Sequence, residues 1–187
     1  MHPRHLVPLL AAALCLGGCD AGGPPGPAAP PPPPASSAPA FGGTDRAWVE
    51  ITIAMGEELL PLLALAPDRC RDPQVKTLAA DARALTEGEL ATLYQLHDAA
   101  GLPAENPHKG MPMPGMVTPE QVAEAAAAAG PAFDALLLDH LAKHFEQGVK
   151  LATGERRSGV EPRTRALAER MIADRAQMTD RIRGSGT

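Results

Sequence analysis

The sequence predicts an all-α fold: a four-helix bundle made of two repeated helical hairpins, with a short helix in the crossover between them. Three observations point there. Apolar residues recur at steps of three and four through most of the chain, the spacing that puts them on one helical face. Only five aromatics occur (Phe41, Trp48, Tyr94, Phe133, Phe145) while Ala and Leu are abundant. A β-sandwich or barrel needs aromatic and β-branched residues, so that class is set aside. Finally, the stretch from Asp45 to Ala84 recurs 89 residues later without a gap.

The first hairpin starts near Thr44. Trp48, Ile51, Met55, Leu59, Leu62 and Ala66 form one stripe, and the segment from Pro67 to Asp72 is expected to break it. Pro73 restarts a helix as a first-turn proline, and Val75, Leu78, Ala82, Leu85, Leu93 and Leu96 carry it to the stop at Gly101-Leu102-Pro103. Thr118-Pro119-Glu120-Gln121 is an N-cap followed by Pro, opening an Ala-rich helix that should end by Gly130. Phe133, Leu137, His140, His144 and Leu151 form the third stripe; Leu167, Met171, Met178 and Ile182 form the fourth. Under the 89-residue shift Asp45 meets Asp134, Glu57 meets Glu146, Leu62 meets Leu151, Pro73 meets Pro162, Leu78-Ala79 meet Leu167-Ala168 and Ala84 meets Ala173. Identities alone would be thin, but the helix-starting proline and both helical registers are kept together. Duplicated hairpins that each bury one face should pack as a bundle.

The domain plan follows from composition. Residues 1–18 read as a signal peptide, with Arg4 as the positive n-region and Leu6 to Leu16 too short an apolar run to span a bilayer. Leu16-Gly17-Gly18-Cys19 looks like a bacterial lipobox, which would make Cys19 a lipidated mature N-terminus; two acyl chains anchor stably where one does not. Residues 19–43 are then a spacer: between 21 and 40 there are nine Pro, six Ala, three Gly, two Ser and nothing else. Such a stretch favours polyproline II, about 3.1 Å per residue, and reaches up to ~60 Å. The bundle domain covers 44–184, with 185–187 as a tail. The expected location is lipid-anchored at a cell membrane or envelope, facing an extracytoplasmic compartment. With Cys15 in the leader and Cys19 acylated, Cys70 stands alone in a predicted loop, so no disulfide framework is expected.

Charge and motifs exclude several functions. There are 17 Lys+Arg against 22 Asp+Glu, and nucleic-acid binding rests on phosphate neutralisation by basic residues. No P-loop, GxGxxG, GxSxG or HExxH is present. No nucleophile–base–orienter set can be read either, so no enzyme is expected.

What remains are soft and borderline ligands on seams that should hold Leu or Val. His140 and His144 are i, i+4 and share a face. Glu89 falls between Leu85 and Leu93, and Met55 and Met178 lie on their own stripes. The repeat shift pairs Met55 with His144 and Glu89 with Met178, and bundle cores build metal sites from equivalent inward positions. A second cluster, His108-Lys-Gly-Met111-Pro-Met113-Pro-Gly-Met116, lies between the hairpins. Thioethers and imidazoles suit Cu(I), whereas Mg2+ and Ca2+ need oxygen shells. Met on a helical seam is also ordinary core filler, and the loop methionines can equally plug the end of the bundle. A metal site formed by some of His140, His144, Met55, Glu89 and Met178, with the 108–116 loop as an entry or separate site, therefore stands beside a purely structural reading.

Across residues 44–183 these features resemble the domain of unknown function 305 family, ferritin-like bundles of bacterial envelopes. Met113-Pro-Gly-Met116 resembles the family's central element, Ala132-Phe133-Asp134 with His144-Phe145-Glu146 its second His-His helix, and Pro73-Gln-Val-Lys-Thr-Leu-Ala its hairpin restart. The resemblance implies a ferritin-like four-helix bundle and, from some relatives, binding of copper or other metal ions by paired histidines and methionines. The departures are specific: Met55-Gly56 stand at the first His-His pair, Phe145 replaces one histidine of the second, and Met178 replaces an acidic residue whose counterpart Glu89 is kept. Two functions follow as expectations: a copper-binding envelope lipoprotein in metal-ion homeostasis, or a structural or protein-interaction bundle with a vestigial site.

Overall fold

The computed structural model describes residues 40–185; the leader, Cys19 and most of the spacer lie outside the described residues. Five helices form: α1 (Gly43–Arg69), α2 (Pro73–Ala100), α3 (Pro119–Ala127), α4 (Pro131–Ser158) and α5 (Pro162–Ser185). Among the described residues there is no strand, and no helix is long and apolar enough to cross a membrane. Pro73, Pro119, Pro131 and Pro162 each sit in a first turn, where the missing N–H costs nothing. Thr118 caps α3 by accepting from Gln121 N, and the Gln121 side chain returns the bond to Thr118 N, a capping box.

α1 differs from expectation at its end. It continues through Pro67 to Arg69, and it also contains Pro61. Both prolines lie on the exposed face, where water can satisfy the carbonyl each leaves unbonded. Cys70 N then closes the helix on Ala66 O at 3.1 Å. Gly130 does not stop α3, which ends at Ala127 with Ala128 N bonded to Ala125 O; at φ +62° it is instead the N-cap residue of α4, a backbone setting that glycine adopts at little cost.

The hairpins are α1–α2 and α4–α5; α1 also packs on α4, and α2 on α5. Asp45 at the start of α1 touches the start of α5, and Asp134 at the start of α4 touches the start of α2. The helices therefore run α1 up, α2 down, α4 down, α5 up, which requires the 101–130 crossover to climb the length of the bundle. It does so beside α1 and α4: Asn106 donates to Glu50 O at 2.8 Å, Gly110 N donates to Glu58 at 2.5 Å, and α3 packs on both helices.

The repeat is visible in hydrogen bonds. Asp45 accepts from Val160 N and Glu161 N, both at 3.0 Å. Asp134 accepts from Arg71 N and Asp72 N at 3.2 and 3.0 Å, the same two positions 89 residues earlier. Each hairpin thus uses its conserved-in-repeat aspartate to hold the other hairpin's helix start, charge-assisted bonds stronger than neutral ones. Cys70 lies beside Asp134; burial and that carboxylate push its thiol up to about 12, so it is a poor nucleophile.

Two apolar clusters fill the bundle. One joins Leu59, Leu62, Leu78, Phe133, Phe145 and Met178; the other joins Trp48, Ile53, Leu90, Leu93, Leu167 and Met171. Burying each such side chain contributes about 1.5–3 kcal/mol. Along α5 the residue between Met171 and Met178 on the seam is Arg175, only 1 % exposed.

Candidate metal centre

The five seam residues do not converge on one centre. Met178 packs in the first apolar cluster with Ile182 and Phe145. Glu89 is held by Arg175 in a bidentate fork, Nη2 to Oε2 at 2.6 Å and Nε to Oε1 at 3.1 Å, with both partners buried. The guanidinium presses against α4 at Gly148, where a Cβ would lie 1.8 Å from Nη1, and lies 5.8 Å from the centre of the Phe145 ring. Glu89 is thus neutralised by protein, and the expectation that it faces a shared ion is corrected. His140 sits one turn before His144 near Glu124, Asp139 and Lys143; burial lowers its pKa, and its Nε2 is buried without a partner. In the crossover, Met111 is 46 % exposed and turned to water, and His108 is half-buried with Nδ1 unpartnered. Among the described residues no three His, Cys, Asp or Glu side chains gather closely enough to hold a metal ion.

A different grouping forms instead, and it joins the two clusters that the sequence keeps apart. The crossover brings Met113 and Met116 against α1, where Met55, Ala54 and Met116 make a small buried cluster flanked by Met113, Ile51 and Leu151. On the other side, Gly115 lies on α4: a Cβ there would be 2.7 Å from Lys143 O and 2.6 Å from Gln147 Cβ. Its φ of +77° is a conformation suited to glycine. That close approach lets Gly115 O reach His144 Nδ1 at 3.2 Å.

This hydrogen bond fixes the imidazole chemistry. A carbonyl only accepts, so His144 Nδ1 carries the proton and Nε2 carries the lone pair. Nε2 is fully buried and has no partner. Burial, and then the nearby Arg175 charge, hold His144 down to about 3 against the Gly115 bond. The ring is therefore neutral at physiological pH and need lose no proton to coordinate a metal. The Met113–Met116 turn of the crossover thus borders both Met55 on α1 and the uncharged His144 imidazole on α4. Such a donor set fits a soft monovalent ion and does not fit Mg2+ or Ca2+.

Residues 53–185 match the family described as a domain of unknown function, DUF305. The chain belongs to the DUF305 family. Two solved DUF305 structures share its fold. One is a Streptomyces coelicolor protein described as secreted, 20 % identical over 74 % of this chain and 89 % of that one, with a TM-score of 0.66. The other is a DUF305 fragment from Deinococcus radiodurans, 16 % identical over 79 % and 97 % of the two chains, with a TM-score of 0.70. No curated protein matches the chain.

Within this DUF305 bundle, Met55 and His144, the repeat-equivalent pair, sit on α1 and α4, the two helices that the crossover overlies. Two further residues, Arg175 and Gly115, shape this interior. Arg175 continues the 167–171–178–182 stripe at its middle step, so its position was legible, but its charge reads as surface. Gly115 carries no side chain and leaves no periodic signal. A surface cleft of about 790 Å3 near Tyr94 and His97 offers no comparable donor set: Tyr94 donates to Glu57 at 2.8 Å, and His97 Nε2 lies 3.1 Å from Pro103 O.

Proposed function

We propose that this DUF305 protein is an extracytoplasmic, lipid-anchored binder of a soft metal ion, Cu(I), serving metal-ion homeostasis rather than catalysis. The observation that carries the metal reading is the buried, unpartnered His144 Nε2, oriented by Gly115 O beside the turn whose Met113 and Met116 pack with Met55. His144, Met55, Met113 and Met116 would hold the ion, and thioether ligation would favour the reduced state of copper. An arrangement of this kind binds and releases an ion without proton exchange at His144.

The experiment is titration of the protein with Cu(I) against a competing chelator. One ion per chain is expected. The volume-conserving changes Met55→Leu and Met116→Leu keep the packing and should each weaken binding at least tenfold, about 1.4 kcal/mol. Absence of a Cu(I)-dependent rise in melting temperature would leave the structural reading, which the Glu89–Arg175 pair favours because it fills the helical interior with a self-neutralised contact.

The anchor rests on Leu16-Gly17-Gly18-Cys19 and the uncharged spacer that follows; the secreted relative supports the compartment. Cys19→Ser is expected to move the protein from the membrane to the soluble fraction on cell fractionation. Retention in the membrane would refute the anchor.

A further inference from the structure

At the end of the bundle where α1 and α5 begin and α4 ends, four polar side chains are almost fully buried together: Asp45, Glu155, Glu161 and Thr164. Their hydrogen bonds do not balance if both Asp45 and Glu155 are ionised. Thr164 Oγ lies 2.8 Å from Asp45 Oδ1, 2.6 Å from Glu155 Oε1 and 2.8 Å from Glu161 O. Three acceptors face one hydroxyl proton. Asp45 is well supplied with other donors: Val160 N, Glu161 N and Gly42 N. Glu155 receives no backbone donor, and its Oε2 is buried without a partner. Glu161 is engaged elsewhere, accepting from Thr164 N and Arg163 Nε, both at 2.7 Å.

The repeat supplies an internal comparison. At the sibling corner Asp134 holds Arg71 N and Asp72 N as Asp45 holds Val160 N and Glu161 N. There the positions equivalent to Glu155 and Thr164 are Ala66 and Val75. Holding the helix start therefore needs the aspartate alone, and the buried acid with its hydroxyl is an addition confined to one corner.

We infer that Glu155 is a proton-binding latch: its carboxylic acid shares a proton with the Asp45–Thr164 group, and loss of that proton loosens the junction of α1, α4 and α5. The groups that face it are Asp45 from α1, Thr164, Glu161, Arg163 and Arg165 from the α5 start, and Lys150 on α4, which lines the adjoining cleft. Electrostatics agree with the geometry. Burial raises Glu155 to about 7, with Asp45 adding to it against the Thr164 bond and Arg165. Asp45 is also raised by burial, but the bonds from Glu155, Glu161 N, Thr164 and Gly42 N bring it below the usual carboxylate range. The proton therefore resides on Glu155.

The sign of the pH effect follows. Between about pH 4.5 and pH 7 the folded chain holds a proton that the unfolded chain has lost, so stability falls as pH rises through that window. The deprotonated latch places two carboxylates side by side in a buried corner, which is costly. An extracytoplasmic protein would meet such pH changes directly.

The test uses the intact protein and its own sibling corner as reference. The Glu155 carboxyl carbon, followed by NMR, is expected to titrate near neutral pH. Hydrogen-exchange protection of Val160 and Glu161 should fall at least tenfold between roughly pH 5 and pH 8, while that of Arg71 and Asp72 stays constant. Glu155→Gln should flatten the pH dependence of the unfolding midpoint. Titration of Glu155 in the ordinary carboxyl range, or parallel loss of protection at both corners, would overturn the inference. Both readouts use the native sequence, so they decide the matter even if Glu155→Gln does not fold.

Discussion

Arg175→Met should destabilise the bundle by about 3–5 kcal/mol, because it strands the Glu89 carboxylate in the interior. For a domain of this size that is a fall of roughly 10 °C in melting temperature, readable by calorimetry or denaturant titration. The reason is the asymmetry of buried pairs. Glu89 and Arg175 are each almost inaccessible, and the fork satisfies the Glu89 carboxylate with three contacts from one guanidinium. Remove the cation, and the carboxylate must stay charged in an apolar surrounding or take up a proton. The pair itself is worth far less than the cost of breaking it, since desolvating two ions offsets most of their attraction. The double change Arg175→Met with Glu89→Leu is therefore expected to recover to within about 1 kcal/mol of the parent. A single variant that loses less than about 1 kcal/mol would show that water already compensates Glu89.

That same pair explains what the sequence did and did not disclose. Helix number, order and first-turn prolines were legible because they depend on local chemistry: a 3–4 apolar step and a residue that cannot donate. The repeat was legible through Asp45/Asp134 and Pro73/Pro162, and these are the residues that tie the hairpins to one another's helix starts. The end of α1 was misjudged at Pro67, since a proline on the wet face of a final turn loses a bond that water replaces. The interior chemistry was harder for a different reason. Seam position shows that Glu89 points inward, but not whether an ion or an arginine meets it; that depends on α5 lying across from α2, a tertiary fact. Glu155 and Thr164 are likewise ordinary polar residues until α1 brings Asp45 between them. The methionine loop's residue types were legible, yet its registration on Met55 and His144 is set by Gly115, a residue with no side chain to give it away.

Gly115→Ala should accordingly abolish the arrangement of the candidate metal centre while leaving the bundle folded. The substitution has two costs. An alanine at φ +77° is strained by about 1 kcal/mol or more, and its methyl carbon would fall 2.7 Å from Lys143 O and 2.6 Å from Gln147 Cβ. The backbone oxygen belongs to a long helix and cannot move aside, so the crossover must lift. Because the strap packs against two hairpins whose own helices stay paired, lifting Met116 out of its cluster should cost about 2–3 kcal/mol without unfolding the bundle. It removes the Gly115 bond that orients His144 and withdraws Met113 and Met116 from Met55. Cu(I) affinity is expected to fall at least tenfold, about 1.4 kcal/mol. Gly110 supplies the control: it has the same sign of φ, +75°, but nothing lies within 4 Å of its would-be Cβ. Gly110→Ala should pay the backbone strain and leave copper affinity unchanged. Equal losses in the two variants would mean that loop strain alone governs binding, and an unchanged Gly115→Ala would detach His144 and the methionines from the site.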